Sequence, residues 1–423
     1  MRSQKVIVVG GGAAGFFAAI TCAETAHDAE VTMLERGSRF LDKVRISGGG
    51  RCNVTNACFN PREFATRYPR GSKALLSPFL KFSASDTVAW FESRGVKLKT
   101  EADGRMFPVS NSSQTIMDCM MNAAQKAGVV LRLNCGVESV ARVTDGFEVV
   151  TRANDGAQGT ARPTEKSGET LACNQLLLAT GGCRAATAGQ LAVSLGHSLE
   201  PPVPSLFTFQ IESPWLTKLA GVSVELAEVS VSGTGLREQG PLLVTHAGLS
   251  GPAVLRLSSW GARALHDLNY RFPLRVNWLP ALNAEQISRQ LNARRNSQPA
   301  RLIVNLPISP LPARLWEQLV LAAGIPRDTR WASLTRTQTH ALMQQLSRSE
   351  FQVVDKSLNK EEFVTCGGVQ LAEVNFKTME SRVCPGLLFA GELLDIDGLT
   401  GGFNFQAAWT TGWVAGKAMA AKV

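Results

Sequence analysis

Short runs of apolar, mostly β-branched residues recur along the chain, and several of them end in glycine. The first run, Val6–Val9, leads into Gly10 and then into an alanine-rich stretch at 13–23. Such a run is typical of a strand covered on both faces, and the stretch after it is typical of a buried helix. Further strands are predicted at 30–34 and at 175–178, the second of which leads into Ala-Thr-Gly-Gly. The pattern predicts an α/β fold.

The stretch Val6–Ala23 carries no charged residue, and its length alone is compatible with a membrane span or a secretion signal. Four glycines lie inside it and no basic cluster precedes it, which favours a buried strand followed by a turn and a helix. We therefore expect no membrane association and a mature chain that begins close to Met1.

The middle of the chain has a different pattern. Residues 222–232 and 270–278 alternate in the manner of strands, whereas 283–324 and 336–347 are polar, rich in arginine and glutamine, and helical in character. A β-rich part and a helical part are therefore expected between the two ends of the chain.

Composition places the chain among soluble globular proteins. Of its 423 residues, 44% are hydrophobic and 19% are charged, so disorder as the main state is excluded. Lysine and arginine exceed aspartate and glutamate by 44 to 35, which gives a net charge of +9. No long run of like charge accompanies this surplus, and a diffuse surplus indicates solubility more often than recognition of nucleic acid. We therefore expect a small-molecule substrate and no nucleic-acid partner.

The nine cysteines are irregularly spaced and include no Cys-x-x-Cys pair, so neither a zinc site nor a dithiol redox centre of that kind is predicted. Thiols in this pattern are expected to be reduced, which favours a cytoplasmic location. No metal ligands are predicted, and no heptad or long apolar stripe indicates the oligomeric state.

The first candidate for chemistry is a Gly-x-Gly-x-x-Gly motif, Gly10, Gly12 and Gly15, which follows the first predicted strand and opens the helix. In this context the first glycine permits a tight turn, the second lets a pyrophosphate approach the backbone, and the third lets the helix pack on the strand. Glu35, which follows the second strand, is suited to accept hydrogen bonds from ribose hydroxyls. The motif predicts a dinucleotide site, and FAD and NAD share it.

A glycine-rich, basic loop follows at 41–56, with three glycines directly before Arg51. Successive glycines leave backbone N–H groups free to bind a pyrophosphate, and the guanidinium suits a phosphate or a flavin carbonyl. A flexible surface loop is the alternative interpretation.

A second glycine-rich cluster lies near the other end of the chain. A short apolar strand ends in Gly391-Glu392, and Gly401-Gly402-Phe403-Asn404 leads into a helix rich in small residues. The N-terminus of that helix is suited to face the electron-rich pyrimidine edge of an isoalloxazine ring. Thr180-Gly181, after the strand at 175–178, is a weaker signal for contact with the adenine-side phosphates.

With these segments the chain resembles the BaiN/YhiN-type NAD(P)/FAD-dependent oxidoreductases, bacterial flavoproteins with two dinucleotide-binding domains whose members carry bile-acid-reductase-like or aminoacetone-oxidase-like labels. The resemblance spans nearly the whole chain. Its most specific segments are 47–53 (SGGGRCN), 103–108 (DGRMFP), 179–182 (ATGG), 245–252 (THAGLSGP), 378–381 (TMES) and 391–404.

The resemblance implies noncovalent FAD and an α/β fold in which a Rossmann-like FAD-binding domain, split between both chain ends, carries an inserted β-barrel-like domain and a small helical insert. The implied boundaries are 1–195 and 352–423 for the FAD-binding domain, 196–278 and 337–351 for the β-rich domain, and 279–336 for the helical insert. The implied FAD-binding residues are Gly10, Gly12, Ala13, Ala14, Gly15, Glu35, Arg36, Lys43, Gly50, Arg51, Cys52, Asn53, Val137, Thr180, Gly181, Gly391, Glu392, Gly402, Phe403 and Asn404.

Residues 183–189 depart from the resemblance, because this segment is shorter than in the family and lacks its proline after Gly182. The departure affects two expectations drawn from the resemblance, namely the phosphate-side contacts of this segment and the substrate.

Two residues are candidates for the substrate pocket. His246 is suited to donate a proton near neutral pH, and the alternative is a histidine that caps its own loop. Arg105 is suited to bind a carboxylate or a carbonyl, and the alternative is an exposed turn arginine. For Cys52 the two interpretations are flavin contact and packing within its loop. No catalytic residue is assigned, because the reactive atoms of hydride transfer belong to the cofactor.

These observations predict an FAD-dependent oxidoreductase that acts on a small organic substrate, with NADPH or NADH as a transient donor. Only one Gly-x-Gly-x-x-Gly follows a predicted strand, so no separate domain is predicted for the nicotinamide. Two alternatives stay open. One is a flavin-dependent RNA-modifying enzyme, which the charge of +9 suits, and the other is a non-catalytic flavin-binding sensor.

Overall fold

The computed structural model describes residues 4–153, 168–183, 186–357 and 364–422. The chain forms two compact units, Met1–Pro204 with Lys360–Val423, and Ser205–Asn359. We call them the Rossmann unit and the barrel unit, after the sheets that they contain. The three-part domain division expected from the sequence stays a prediction.

The elements are numbered along the chain. The described strands are β1 (Lys5–Val9), β2 (Glu30–Leu34), β3 (Thr55–Asn56), β4 (Leu98–Thr100), β5 (Arg105–Pro108), β6 (Val130–Arg132), β7 (Cys135–Val143), β8 (Gly146–Ala153), β9 (Thr170–Cys173), β10 (Gln175–Leu178), β11 (Leu199–Ser205), β12 (Thr208–Ile211), β13 (Ser223–Val231), β14 (Arg237–Val244), β15 (Gly248–Ser250), β16 (Phe272–Asn277), β17 (Ser349–Ser357), β18 (Val364–Val369), β19 (Val374–Asn375), β20 (Glu380–Ser381) and β21 (Leu387–Phe389). The described helices are α1 (Ala13–Thr25), α2 (Asp42–Gly50), α3 (Pro61–Ala65), α4 (Ser72–Lys81), α5 (Ala84–Glu92), α6 (Ser113–Lys126), α7 (Ala186–Ser194), α8 (Pro252–Trp260), α9 (Ala262–Asp267), α10 (Ala284–Ser297), α11 (Ala313–Ala322), α12 (Arg336–Arg348) and α13 (Phe403–Ala420).

The Rossmann unit is built on a seven-stranded sheet with the order β19-β20-β21-β10-β1-β2-β6. Strands β21, β10, β1, β2 and β6 run parallel, and β19 and β20 extend the sheet antiparallel. The central strands are apolar because both faces are covered, and Val6–Val9 is buried along its whole length. The α/β fold predicted from the sequence is confirmed.

Two helices from opposite ends of the chain pack together on this sheet. A Cβ atom at Gly412 of α13 would lie 2.4 Å from the carbonyl oxygen of Ala14 in α1. One at Gly416 would lie 2.6 Å from the carbonyl oxygen of Ala18. Glycine is therefore required at both positions, because any side chain would push the helices apart. This close contact joins the N-terminal and C-terminal parts of the unit.

The barrel unit contains a closed barrel with the strand order β12-β15-β14-β13-β16-β17. In β16, buried and exposed residues alternate, as expected of a strand with one face on a core. The alternating segments predicted at 222–232 and 270–278 correspond to β13 and β16. Helices α10, α11 and α12 lie between β16 and β17 in the chain. The predicted barrel-like sheet and helical insert are therefore both present.

Candidate nucleotide site

The turn between β1 and α1 is closed by two glycines. A Cβ atom at Gly10, whose φ is +111°, would lie 2.3 Å from the carbonyl oxygen of Ala179, beyond β10. A Cβ atom at Gly15 would lie 2.0 Å from the carbonyl oxygen of Gly10. These glycines let β1, β10 and the first turn of α1 approach one another at backbone distance.

Gly12 in the same turn faces open space. It is the N-cap residue of α1, directly before Ala13, and a Cβ atom on it would meet no atom within 4 Å. The first N–H groups of a helix have no partner within the helix, and the dipole favours an anion there. The geometry fits a pyrophosphate in front of α1.

Glu35 follows β2 and stabilises this turn through hydrogen bonds. One carboxylate oxygen accepts a hydrogen bond from the Gly11 N–H at 2.8 Å, and the other accepts from the Gly37 N–H at 2.7 Å. Each oxygen keeps a second lone pair, so the carboxylate retains acceptor capacity for a ribose hydroxyl. Beside it, Gly136 packs against Arg36, since a Cβ on that glycine would lie 3.3 Å from the Cβ of the arginine. Val137, half-buried in β7, follows directly.

The basic loop begins as a helix, which corrects the prediction of a loop throughout 41–56. Helical dihedral angles end at Ser47, and Gly48, Gly49 and Gly50 follow with φ of 58°, 68° and 81°. Cβ atoms at the last two of these glycines would meet no atom within 4 Å. Positive φ in three consecutive residues explains why glycines stand here, and the free space beside them fits a ligand.

Cys52 and Asn53 close the loop. Cys52 is fully buried, and burial raises the pKa of its thiol to about 12. The sulfur is therefore protonated at neutral pH and lacks the thiolate character of a reactive cysteine. The side-chain amide of Asn53, in the orientation that satisfies both groups, donates to the carbonyl of Thr55 at 3.0 Å and accepts from the N–H of Gly402 at 2.9 Å. Asn53 thus ties the loop to the start of α13.

Residues from both chain ends meet beside α1. Gly391 packs so closely that a Cβ on it would lie 2.9 Å from the Cβ of Ala14. The carboxylate of Glu392 pairs with the Lys43 ammonium at 2.6 Å and also accepts from the Thr365 N–H at 2.9 Å. Two residues that the resemblance assigns to the cofactor therefore pair with each other across 349 positions of sequence.

Thr180 provides a direct test of whether a group fits here. Its buried hydroxyl oxygen has no hydrogen-bond partner among the described residues. The next residue, Gly181, has a φ of +79°, and a Cβ on it would meet no atom within 4 Å. A buried hydroxyl without a partner costs free energy, and a polar group of a ligand in this space would satisfy it. Together with the open space at Gly12, this fits a dinucleotide along the ends of β1 and β10.

The start of α13 is fixed by its own loop. Gly402 has a φ of +93°, and a Cβ on it would lie 2.4 Å from the carbonyl oxygen of Thr55. The carbonyl of Phe403 accepts from the Tyr68 hydroxyl at 2.6 Å. The side-chain amide of Asn404 binds both backbone groups of Gly398: it accepts from the Gly398 N–H at 2.8 Å and donates to the Gly398 carbonyl at 2.9 Å. These contacts hold the helix N-terminus in place, and none of them uses the N–H groups of Phe403, Asn404 or Phe405.

Two buried polar residues, Gln406 and Asp397, and the half-buried Arg70 support this loop and were not among the predicted site residues. Gln406 accepts from the Thr55 hydroxyl at 2.6 Å and is completely buried. Arg70 forms an ion pair with the buried Asp397. Their partners lie more than 300 residues away. In the sequence these residues are marked only by their position near glycines, and this position does not reveal their distant partners.

Arg105 and Arg51 flank one aromatic ring. The guanidinium of Arg51 lies 4.0 Å from the ring centre of Phe107, and that of Arg105 lies 5.5 Å from it. Glu101 bridges the two arginines at 2.7 and 3.1 Å, and Asp103 pairs with Arg105 at 2.7 Å. The acidic partners hold both guanidiniums in fixed positions.

His246 belongs to the barrel unit, and all the other predicted site residues belong to the Rossmann unit. It is exposed in the turn between β14 and β15. The hydroxyl of Thr245 accepts from the N–H groups of Ala247 and Gly248 at 3.3 and 3.1 Å. The threonine therefore caps this turn, and both interpretations of His246 stay predictions.

The segment after Gly182, where the sequence departs from the resemblance, is described only in part. Cys183 is buried, and its thiol donates to the carbonyl of Leu393 at 3.6 Å. Residues 184–185 lie outside the described residues.

In the described ranges, no helix is long and apolar enough to cross a membrane. No group of three or more histidine, cysteine, aspartate or glutamate side chains in those ranges is arranged to hold a metal ion.

Comparison with known proteins shows what this chain is similar to. The family model described as the HI0933-like protein Rossmann domain matches residues 4–418. The ribosomal RNA dihydrouridine synthase of Escherichia coli (strain K12) is 32% identical over 98% of this chain and 97% of its own length. The 3-dehydro-bile acid delta(4,6)-reductase of Clostridium scindens is 28% identical over 99% of each chain. The ribosomal RNA dihydrouridine synthase of Haemophilus influenzae is 28% identical over 96% of each.

Solved structures share the fold at low sequence identity. The 3-ketosteroid-delta4-(5alpha)-dehydrogenase of Rhodococcus jostii RHA1 has a TM-score of 0.52 with 15% identity, over 99% of this chain and 98% of that one. The open form of a flavocytochrome c3 fumarate reductase has a TM-score of 0.51 with 16% identity, over 99% of this chain and 78% of that one. At these identities the likeness concerns the fold alone.

Proposed function

The chain belongs to the HI0933-like Rossmann-domain family and is an FAD-dependent oxidoreductase, and from this premise we propose that it reduces a carbon–carbon double bond conjugated to a carbonyl in a uridine of ribosomal RNA. The observation that carries the proposal is the 32% identity, over 98% of the chain, to a ribosomal RNA dihydrouridine synthase. The net charge of +9 supports it, because RNA binding rests on neutralising phosphates.

The names of the curated relatives share one reaction class. Formation of dihydrouridine saturates the uracil ring bond that is conjugated to a carbonyl, and a delta(4,6)-reductase of a 3-dehydro bile acid saturates carbon–carbon bonds conjugated to a ketone. In both reactions one carbon receives a hydride and the other receives a proton. The two names therefore agree on the kind of bond that is reduced and differ in the substrate.

The residues of the Rossmann unit would hold FAD as follows. The N-terminus of α1 at Gly12 would receive the pyrophosphate, and Glu35 would accept from the ribose. The hydroxyl of Thr180 would gain the partner that it lacks among the described residues. The N-terminus of α13, after Gly402, would face the flavin ring. When bound, FAD supplies the hydride, and we propose NADPH or NADH as its reductant.

One side chain of the Rossmann unit is proposed to act on the substrate. Arg105, held by Asp103 and Glu101, would donate hydrogen bonds to the substrate carbonyl and so favour hydride addition to the conjugated bond. His246, which belongs to the barrel unit, stays a prediction as the proton donor.

A second candidate is the reduction of a small organic enone, as expected from the sequence alone. The 28% identity over 99% of the chain to a bile acid reductase favours it. Substrate size separates the two candidates, whereas the bond reduced does not.

The test begins with the visible absorption spectrum of the purified protein under anaerobic conditions, before and after addition of NADPH or NADH. The reduced protein is then given unmodified bacterial ribosomal RNA made by transcription, and dihydrouridine is measured by mass spectrometry of the nucleosides. A parallel reaction contains a 3-oxo-4-ene steroid. We expect a flavin band that bleaches when the donor is added, dihydrouridine in the RNA, and no reduction of the steroid. Steroid reduction without dihydrouridine would replace the proposal by the second candidate, and no flavin band after reconstitution would overturn both.

A further inference from the structure

The positive charge of the chain is concentrated in one segment of the barrel unit. Residues 279–348, which we call the basic insert, contain nine arginines, no lysine and three acidic residues, and so carry +6 of the net charge of +9. The arginines are spread thinly along the sequence, and no run of like charge marks them. The surplus is therefore diffuse along the sequence, as expected, although most of the net charge falls in this segment.

The fold of the basic insert turns its apolar residues inward. Ile287 and Leu291 of α10 are buried, as are Leu342 and Leu346 of α12. Trp331, between α11 and α12, is also buried. The arginines lie on the outside of this small core, and eight of the nine are exposed: Arg289, Arg295, Arg301, Arg314, Arg327, Arg330, Arg336 and Arg348.

Backbone and side-chain hydrogen bonds bring three of these arginines onto adjoining segments. The Arg295 guanidinium, near the end of α10, donates to the carbonyl of Ala332 at 3.4 Å. The carbonyl of Arg301 accepts from the Trp331 N–H at 3.0 Å, and Leu302 forms an antiparallel bridge with Arg330. We call Arg295, Arg301 and Arg330 the arginine edge.

The arginine edge lacks the acidic partners that several other arginines of this unit have. Arg237 pairs with Glu228 at 3.6 Å, Arg289 with Glu285 at 3.3 Å, and Arg327 with Glu317 at 2.5 Å. Within the fully described barrel range 205–357, no carboxylate lies within ion-pair distance of the three edge arginines. Like charges gathered without counter-charges repel one another, and an external polyanion relieves this repulsion.

We propose that the arginine edge binds the phosphate backbone of the ribosomal RNA substrate, an inference that rests on the proposed function. Guanidinium groups match the geometry of phosphate with two parallel hydrogen bonds, and they also stack on unpaired bases. The basic insert uses arginine alone as its cation, which suits this recognition. Asn292, Asn296 and Gln298, all exposed near the end of α10, add neutral donors beside the edge.

The experiment compares two triple variants of the full FAD-loaded protein. The edge variant carries Arg295→Gln, Arg301→Gln and Arg330→Gln. The control variant carries Arg237→Gln, Arg289→Gln and Arg327→Gln, which remove the same charge from arginines of the same unit that have acidic partners. Binding of protein-free bacterial ribosomal RNA is measured over a range of salt concentrations, and dihydrouridine formation is measured against RNA concentration. Flavin absorption and its bleaching by NADPH or NADH report on folding in both variants.

For the edge variant we expect a loss of RNA affinity of about tenfold or more at 0.1 M salt. The slope of log K against log salt should fall in magnitude by about 2, since each phosphate contact to a single strand contributes about 0.7. KM for RNA should rise while kcat is retained. The control variant should lose less than about threefold in affinity, because its arginines already have partners.

The outcomes separate this inference from the proposed function. Wild-type formation of dihydrouridine together with unchanged RNA affinity in the edge variant would overturn the arginine edge and leave the function standing. Edge-dependent RNA binding without dihydrouridine would support the edge and reject the function. Absence of RNA binding by the wild type would reject the edge. Vesicles of phosphatidylglycerol and phosphatidylcholine serve as a competing probe, and edge-dependent binding to them alone would replace RNA by an anionic membrane.

Discussion

Two glycine-rich segments of the Rossmann unit, Gly10–Gly15 and Gly48–Asn53, look alike in sequence and need glycine for different physical reasons. In the first segment, added Cβ atoms at Gly10 and Gly15 would collide with backbone oxygens at 2.3 and 2.0 Å. In the second, Gly49 and Gly50 have open space around them and positive φ. The first segment is glycine-rich because the backbone packs on itself, and the second because the chain turns left-handed beside a space that fits a ligand.

Gly12 connects the two cases. It belongs to the packed segment, yet it has open space around it and a φ of −92°, which any residue adopts. Neither packing nor backbone strain explains a glycine there. We propose that room for a ligand against the backbone explains it, which would distinguish a binding glycine from a structural one.

The largest effect that we expect is that of Gly15→Ala. Its Cβ would lie 2.0 Å from the carbonyl oxygen of Gly10, and neither backbone segment can yield without moving α1 away from β1. We expect the free energy of unfolding to fall by about 3 kcal/mol or more, as for severe overpacking of a core. Urea unfolding followed by circular dichroism measures it. A loss below about 1 kcal/mol would show that Gly15 and the carbonyl oxygen of Gly10 are not in such close contact.

The next effect is that of Gly12→Ala, which also serves as the matched control for Gly15→Ala. The apoprotein should unfold within about 0.5 kcal/mol of wild type, because the added methyl group meets nothing. FAD affinity should fall by about tenfold or more, because the methyl group would occupy the place of a pyrophosphate against the helix N-terminus. Titration of the apoprotein with FAD, followed by flavin fluorescence, measures this. Unchanged FAD affinity would remove Gly12 from the cofactor site.

The same distinction shows what the sequence predicts well. Motifs whose members lie close together in the chain, such as Gly10 to Gly15 with Glu35, follow from local geometry and are readable from spacing. The buried strands Val6–Val9 and Gln175–Leu178 are equally readable, because covering both faces demands continuous apolar residues.

Other features depend on contacts between distant parts of the chain. β11, with the sequence LEPPVPS, contains three prolines that argue against a strand, and its pairing with β18 decides its structure. The Gln406 contact with Thr55 spans 351 positions, and the Lys43 contact with Glu392 spans 349. The arginine edge likewise becomes visible only when three separate segments are brought together.

The smallest effect is that of Gly50→Ala, which probes the second segment. With a φ of +81° and no atom within 4 Å of an added Cβ, the only direct penalty in the folded protein is the left-handed backbone. That penalty is about 1 to 2 kcal/mol, partly offset by the lower flexibility of alanine in the unfolded chain, so a net loss of about 1 kcal/mol is expected. Urea unfolding of the apoprotein measures this loss.

Asparagine provides the decisive comparison at this position, because it adopts left-handed conformations more readily than alanine. Gly50→Asn should recover part of the stability that Gly50→Ala loses, whereas Gly15→Asn should be no more stable than Gly15→Ala, because its penalty comes from the Cβ atom itself. If asparagine recovered stability at both positions, or at neither, packing and backbone conformation would not be separate causes in the two segments. Recovery at Gly50 alone would establish that similar glycine-rich sequences are maintained by opposite demands, contact in one segment and open space in the other.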